Sequence, residues 1–151
     1  MFLDNRQAAM DGLLEALADS LDYYQDNADR LQSDIREALA PCFDERRQDM
    51  RLLQQQARRH LDLLPRDADV ERDDYLWLWS RLKSFVVNNT SVLIGELLEQ
   101  ERIIMQSLST VVTHSLPDEM EPVMERLWKN CRGTIRELHR YQHPRRRQRC
   151  P

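Results

Sequence analysis

The chain has 151 residues and a mass of 18.1 kDa, a length that suits one domain with a single core. Hydrophobic residues make up 41% and charged residues 32%, a balance typical of folded domains rather than disordered ones. Three glycines and six prolines are few for the many turns of a β-sandwich, and no apolar run reaches the roughly 20 residues that span a bilayer. We therefore expect neither a sandwich nor a membrane protein.

The cysteines indicate a reducing compartment. Cys42, Cys131 and Cys150 are odd in number and widely spaced, without a C-x-x-C pair. The first six residues have neither the basic nor the apolar region of a secretory signal. We expect a cytoplasmic location, free thiols and no membrane partner.

Charge is unevenly distributed along the chain, which has a net charge of −4. Residues 1–40 hold nine acidic and three basic side chains, whereas residues 126–151 hold one acidic and nine basic side chains. Mutual attraction of the two ends, within a monomer or across a dimer, is the simplest explanation. The Arg145–Arg149 run could instead bind nucleic acid or acidic lipid, but no aromatic residue interleaves with it. We expect a solvated tail and no nucleic-acid binding.

Four long segments carry apolar residues at steps of three and four, the pattern of amphipathic helices. The first has an apolar stripe over residues 10–31. The second begins at Ser33, a good N-cap residue, and stops at Pro65, and Pro41 should kink or split it. The third starts with Thr90 or Ser91 as its cap and runs to Val112. The fourth follows the break at residues 115–119 and stops before Pro144.

A charged stretch, residues 66–74, separates the second segment from an apolar one that begins Tyr75-Leu76-Trp77-Leu78-Trp79. The latter predicts a short crossover helix that ends near Asn88 and Asn89. Four long helices with one long connection predict an all-α, up-down four-helix bundle. We place the single bundle domain at residues 1–143 and a basic, disordered tail at residues 144–151.

Two charged residues fall inside the predicted apolar stripes. At 100° per residue, Glu101 lies at the centre of the third stripe, and Arg46 lies on the core side of the second. A lone buried carboxylate costs several kcal/mol unless it is paired, protonated or bound to metal. We therefore predict a buried Arg46–Glu101 ion pair with a structural rather than a chemical role. The fourth segment offers no inward carboxylate.

Three short stretches support a resemblance. They are Leu21-Asp22-Tyr23-Tyr24 in the first segment, Asp44-Glu45-Arg46-Arg47 in the second and Gly95-Glu96-Leu97-Leu98-Glu99-Gln100-Glu101 in the third. Together with the helix pattern, they resemble a bacterial branch of the ferritin-like superfamily, made of small proteins classed as a domain of unknown function. The likeness extends over residues 8–142. It implies a ferritin-like bundle, a bacterial cytoplasmic setting, and pairing or stress-related expression rather than a settled activity.

The resemblance does not extend to the metal ligands. Ferritin-like di-iron sites use a glutamate from each of two helices and Glu-x-x-His from the other two. Glu101 matches, but Gln48 follows Glu45 and Trp128 follows Glu125 at the histidine position. An arginine near the centre would also repel a divalent cation. We therefore expect no metal, no cofactor and no oxidase or iron-storage chemistry.

The leading hypothesis is a non-enzymatic interaction protein that binds itself, as a homodimer, or another protein. Exposed aromatic residues commonly anchor interfaces, so Tyr75, Trp77 and Trp79 are candidates, although they could equally cap the core. The alternative is a ferritin-like metal-binding protein with a degenerate site formed by Glu101, Asp22, Asp49 and a histidine. A small ligand in the core stays open, because nothing in the sequence selects one.

Overall fold

A computed structural model describes residues 4–63 and 89–142 of the chain. Four long helices occupy these ranges: α1 (Asn5–Asn27), α2 (Ser33–Leu61), α3 (Thr90–Val112) and α4 (Glu121–Gln142). Two short 3₁₀ turns, Ala28–Arg30 and Asp118–Met120, follow α1 and precede α4. These ranges contain no strand, so the all-α prediction is confirmed. The predicted crossover helix, with Tyr75, Trp77 and Trp79, and the predicted tail at residues 144–151 lie outside the described residues.

Side chains fix where two of the helices begin. Asp4 caps α1 by accepting from the Gln7 N–H at 2.7 Å, and the Gln7 side chain accepts from the Asp4 N–H at 3.1 Å. Asn89 caps α3 by accepting from the Ser91 N–H at 3.0 Å. The expectation that Thr90 or Ser91 caps this helix was therefore wrong.

Helix α2 differs from its prediction at its start, and of the two alternatives predicted at Pro41, a kink or a split, the split is wrong. Ser33 is its first residue rather than its cap, and the preceding Gln32 makes no side-chain cap bond. Pro41 does not split the helix, which is continuous from Ser33 to Leu61. Proline removes only one backbone hydrogen bond, and the turns on either side of it are held by the buried Leu39 and Phe43. The helix ends at Leu61 and is capped by Asp62, which adopts a left-handed conformation with φ of 54°. The predicted stop at Pro65 lies outside the described residues.

The four helices pack against each other in a definite order, and we call them together the bundle. Helix α1 packs against α2 and α3, and α4 packs against the same two helices, so α2 and α3 occupy opposite corners. At one end of the bundle, the Gln7 side chain donates to the Leu61 carbonyl at 2.6 Å, and Arg6 donates to the Ser115 carbonyl at 3.4 Å. Helices α2 and α3 therefore end at the same end of the bundle and run in the same direction. None of the described helices is long and apolar enough to cross a bilayer.

The core has two apolar halves with a polar layer between them. The half near the start of α1 includes Leu13, Leu53, Leu108 and Leu127, one residue from each helix. The other half includes Leu21, Leu39, Leu97 and Leu138. The buried polar side chains between these halves come from all four helices: Ser20, Arg46, Glu101, Asn130 and Thr134.

Candidate functional site

Arg46 and Glu101 meet in the centre of the bundle. The Arg46 Nη1 donates to Glu101 Oε1 at 2.5 Å, and Nη2 donates to Oε2 at 2.7 Å. Each side chain is only 1% exposed. Two parallel N–H···O bonds are the geometry that a guanidinium and a carboxylate form best, and they hold both groups in fixed orientation. The structure thus brings together the two residues that the sequence predicts as a buried pair.

Two more of the five N–H donors of Arg46 bind side chains on the other two helices. Its Nη1 also donates to the Ser20 hydroxyl on α1 at 3.1 Å, and its Nε donates to Asn130 Oδ1 on α4 at 3.0 Å. The guanidinium therefore contacts a polar side chain from each of the other three helices. Removing a charge from water is costly, and this set of acceptors compensates the cost.

The residues around the guanidinium are themselves held in place. Asn130 donates through Nδ2 to the Cys42 carbonyl on α2 at 2.8 Å, which assigns its Oδ1 to Arg46. The Ser20 hydroxyl donates to the Leu17 carbonyl, and the Thr134 hydroxyl donates to the Asn130 carbonyl, both at 2.8 Å. Every polar side chain in this layer has a partner, which makes the layer a connected network.

Cys131 contacts the same carboxylate from α4. Its thiol donates to Glu101 Oε2 at 2.9 Å, and the residue is fully buried. Burial raises the pKa of the Cys131 thiol well above its usual range, and the negative charge and hydrogen bond of Glu101 raise it further. A thiol that stays protonated is a poor nucleophile and a poor metal ligand. Cys131 is therefore an inert part of the network.

An aromatic pair lies beside the guanidinium. The Arg46 Cζ lies 5.1 Å from the centre of the Phe43 ring, within the range of a cation–π contact. Phe43 stacks on Tyr24 of α1, with ring centres 4.0 Å apart and planes 5° apart. The hydroxyl of Tyr24 donates to the Arg36 carbonyl at 3.4 Å. These contacts join the polar layer to one apolar half of the core.

The residues proposed for a degenerate metal site do not come together. Glu101 is bound by Arg46, and Asp49 accepts from Arg126 Nε at 3.1 Å on the side of the bundle where α2 meets α4. Asp22 is exposed on α1. Across residues 4–63 and 89–142, no group of three or more histidine, cysteine or acidic side chains could hold a metal ion. One buried oxygen of this set, Asp49 Oδ2, has no hydrogen-bond partner.

Sequence reasoning missed three members of the network. Ser20, Asn130 and Thr134 are uncharged, and such residues stand out less inside an apolar stripe than a charge does. Their positions carry a signal, because Ser20 lies three residues after Leu17, and Asn130 and Thr134 lie three and seven residues after Leu127. The same helical spacing that selects Glu101 therefore places all three in the core.

A second feature lies on the outside, where α3 meets α4. A cavity of about 430 Å³ opens there, and we call it the α3–α4 groove. Its apolar wall consists of Leu108, Val112, Leu116, Met124 and Trp128. Its polar rim consists of His114, Glu121, Glu125, Lys129 and Arg132. Val112 is 60% exposed, more than any other large hydrophobic residue in the described part of the chain.

The buried layer and the outer groove differ in what they can do. The layer is closed to solvent, and its hydrogen bonds join its members to each other and to the backbone, so its geometry suits fixing the register of the four helices. The groove is open and has an apolar wall with a charged rim, which suits binding. The sequence matches no known protein family, no curated protein and no solved structure.

Proposed function

We propose that this chain is a non-enzymatic, ferritin-like four-helix-bundle protein that acts by associating with itself, as a homodimer, or with another protein. The observation that carries the proposal is the α3–α4 groove, where apolar side chains face solvent inside a charged rim. Apolar side chains rimmed by polar residues are a feature of interaction sites. The proposed setting is the bacterial cytoplasm.

The order and direction of the helices support the ferritin-like assignment. Helices α2 and α3 occupy opposite corners and run in the same direction. The end of α2 and the start of α3 therefore lie at opposite ends of the bundle. One long connection between the second and third helices is what distinguishes ferritin-like folds from simple up-down bundles with short loops.

The polar layer supports the proposal that the protein is not an enzyme. Ferritin-like di-iron proteins build their site from inward carboxylates and histidines in the bundle core. In this chain a guanidinium occupies the middle of the core and takes both oxygens of Glu101. A fixed positive charge there opposes the binding of a divalent cation, because the two would repel each other in a low-dielectric interior.

Analytical ultracentrifugation of the whole chain over a wide range of concentrations tests the proposal. We expect a species of twice the 18.1 kDa protomer mass that dissociates on dilution. A protein that stays monomeric at every concentration would overturn self-association and leave only a different partner protein.

A second candidate function, metal binding at a degenerate site, is favoured by one observation. The buried Asp49 Oδ2 has no hydrogen-bond partner and lies on a side chain that is 10% exposed. Elemental analysis of gently purified protein, with thermal unfolding in the presence and absence of Fe²⁺ or Mn²⁺, tests this candidate. A metal-free sample whose Tm does not change when either ion is added would eliminate it.

A further inference from the structure

We infer that the α3–α4 groove is the contact surface of a twofold-symmetric dimer, in which the α4 helices of two copies of this chain lie antiparallel. This inference rests on the proposed self-association and adds the surface and the orientation. Most homodimers are twofold symmetric, so one surface patch has to be complementary to itself. The groove meets this requirement in both its apolar and its charged residues.

The apolar part of the surface lies where a dimer core would form. Trp128 and Met124 project from α4, and Val112 and Leu116 follow from the end of α3. Met124 is buried within the monomer, Trp128 is half-buried and Val112 is 60% exposed. The apolar side of the groove therefore extends from the core to the surface. Tryptophan and methionine are enriched at the centres of interfaces, and tryptophan is among the residues that contribute most to binding there.

The charged residues determine which orientation of a second copy is favourable. Glu121 and Glu125 are followed along the same edge of α4 by Lys129 and Arg132, at spacings of four, four and three residues. These spacings keep all four on one side of the helix. The edge is therefore acidic over its first turns and basic over the next ones.

An antiparallel second copy places the acidic half of each α4 opposite the basic half of the other. A parallel copy would place like charges opposite one another, which is unfavourable. The midpoint of the four charges falls near Leu127, which puts the twofold axis beside Trp128. The two tryptophans would then pack against each other at the centre of the interface.

These charges are available to a second copy. The ion pair between Lys129 and Glu125, at 3.1 Å, joins side chains that are 73% and 68% exposed. Exposed pairs of this kind contribute little stability, so breaking this pair to form ion pairs with a second copy costs little. Glu121 and Arg132 are exposed and form no ion pair with residues 4–63 or 89–142.

Two charge-reversed variants of the whole chain test the inference. Glu121→Lys with Glu125→Lys makes the edge entirely basic, and Lys129→Glu with Arg132→Glu makes it entirely acidic. We expect each variant alone to lose the dimer seen for the wild type, and an equimolar mixture to regain it as a heterodimer, measured by analytical ultracentrifugation. Asp44→Lys with Glu45→Lys, the same charge change on exposed α2 residues, should leave the dimer intact.

Cross-linking of the wild-type chain gives a second readout that needs no variant. A carbodiimide joins lysines to carboxylates in contact, and a mixture of ¹⁴N- and ¹⁵N-labelled chains shows by mass spectrometry which links join two copies. We expect Lys129 of one chain to be linked to Glu121 or Glu125 of the other.

The outcomes separate the inference from the function on which it rests. Suppose that the wild type dimerises and the charge-reversed variants are folded. If those variants still dimerise alone, or fail to dimerise when mixed, the antiparallel α4 contact is overturned but self-association is not. A wild type that is monomeric throughout would overturn both. Circular dichroism identifies a variant that has not folded, and the cross-linking experiment then decides.

Discussion

Arg46 and Glu101 lie on helices at opposite corners of the bundle, so their ion pair crosses the full width of the core. Neighbouring helices in this bundle contact each other through apolar side chains. The pair adds a direct polar connection between α2 and α3 along the diagonal. Its removal should affect the whole bundle rather than one helix–helix contact.

Replacing Arg46 alone should be strongly destabilising. Arg46→Met leaves the Glu101 carboxylate buried without its partner, and breaking a buried pair in this way costs about 3–5 kcal/mol. Urea unfolding followed by circular dichroism measures the change. The neighbouring Arg47→Met is the matched control, because Arg47 forms only a partly exposed pair with Asp44, and its loss should change stability by less than about 0.5 kcal/mol. Equal losses for the two variants would contradict a central role for Arg46.

Replacing both members of the pair should be less damaging than replacing Arg46 alone. In Arg46→Met with Glu101→Met neither charge is left buried, and apolar replacements of similar size often equal or exceed the stability of an ion pair. We expect the double variant to recover about 2 kcal/mol or more relative to Arg46→Met, by the same urea titration. A double variant no more stable than Arg46→Met would show that the ion pair itself, rather than the unpaired charge, dominates.

Asn130 should matter more than its neutral side chain suggests. Asn130→Ala leaves Arg46 Nε without a partner in the core and removes one of the hydrogen bonds to the Cys42 carbonyl, and an unsatisfied buried group costs about 1–3 kcal/mol. Thr110→Ala on the exposed side of α3 removes one side-chain hydrogen bond and should have a far smaller effect. Thermal unfolding of both variants checks this, and matching Tm values would argue against the network.

Cys131 should be unreactive while the protein is folded. Its thiol is buried and donates to Glu101, and burial together with that charge keeps its pKa raised. At pH 8 we expect iodoacetamide to label Cys131 only in urea, as read by peptide mass spectrometry. The half-buried Cys42, whose pKa is also raised mainly by burial, should label at an intermediate rate. Labelling of Cys131 in the native protein as fast as in urea would contradict the buried thiol.

Stability should fall in alkali through Tyr23. Burial, followed by the charge of Glu96, raises the pKa of Tyr23 from 10.0 to about 12. The folded state therefore holds this proton more tightly than the unfolded state does. The resulting stability is present below pH 10 and is lost as the pH rises from 10 to 12. Tyr23→Phe should make the free energy of unfolding less dependent on pH in that window, and an unchanged slope would show that other groups are responsible.

The sequence predicted the helices well because their apolar residues recur at helical spacing over more than twenty positions. The same helical spacing identifies Arg46 and Glu101, because a charged residue inside an apolar stripe is conspicuous. Ser20 and Asn130 were overlooked because a small polar residue in a stripe is not conspicuous, and its importance depends on what lies across the core. Local spacing does not indicate which residue of another helix a side chain will contact.

Other features depend on tertiary structure and could not be predicted from local patterns. Pro41 predicted a kink or a split, and the helix does not split, because packing of both flanking turns outweighs one missing hydrogen bond. Val112 lies on the same apolar stripe as the buried Leu108, yet it borders the α3–α4 groove and is 60% exposed. An apolar stripe predicts which face of a helix turns toward the core. It does not predict which residues of that face lie beyond the end of the core and are exposed.

The single guanidinium that joins all four helices also bears on how the chain folds. A partly assembled intermediate with two or three docked helices would hold a positive charge away from water with only some of its acceptors in place. Such an intermediate lacks part of the compensation that the complete bundle gives to the buried charge. We therefore expect equilibrium unfolding to proceed in one all-or-none transition, with coincident curves from far-ultraviolet circular dichroism and tryptophan fluorescence.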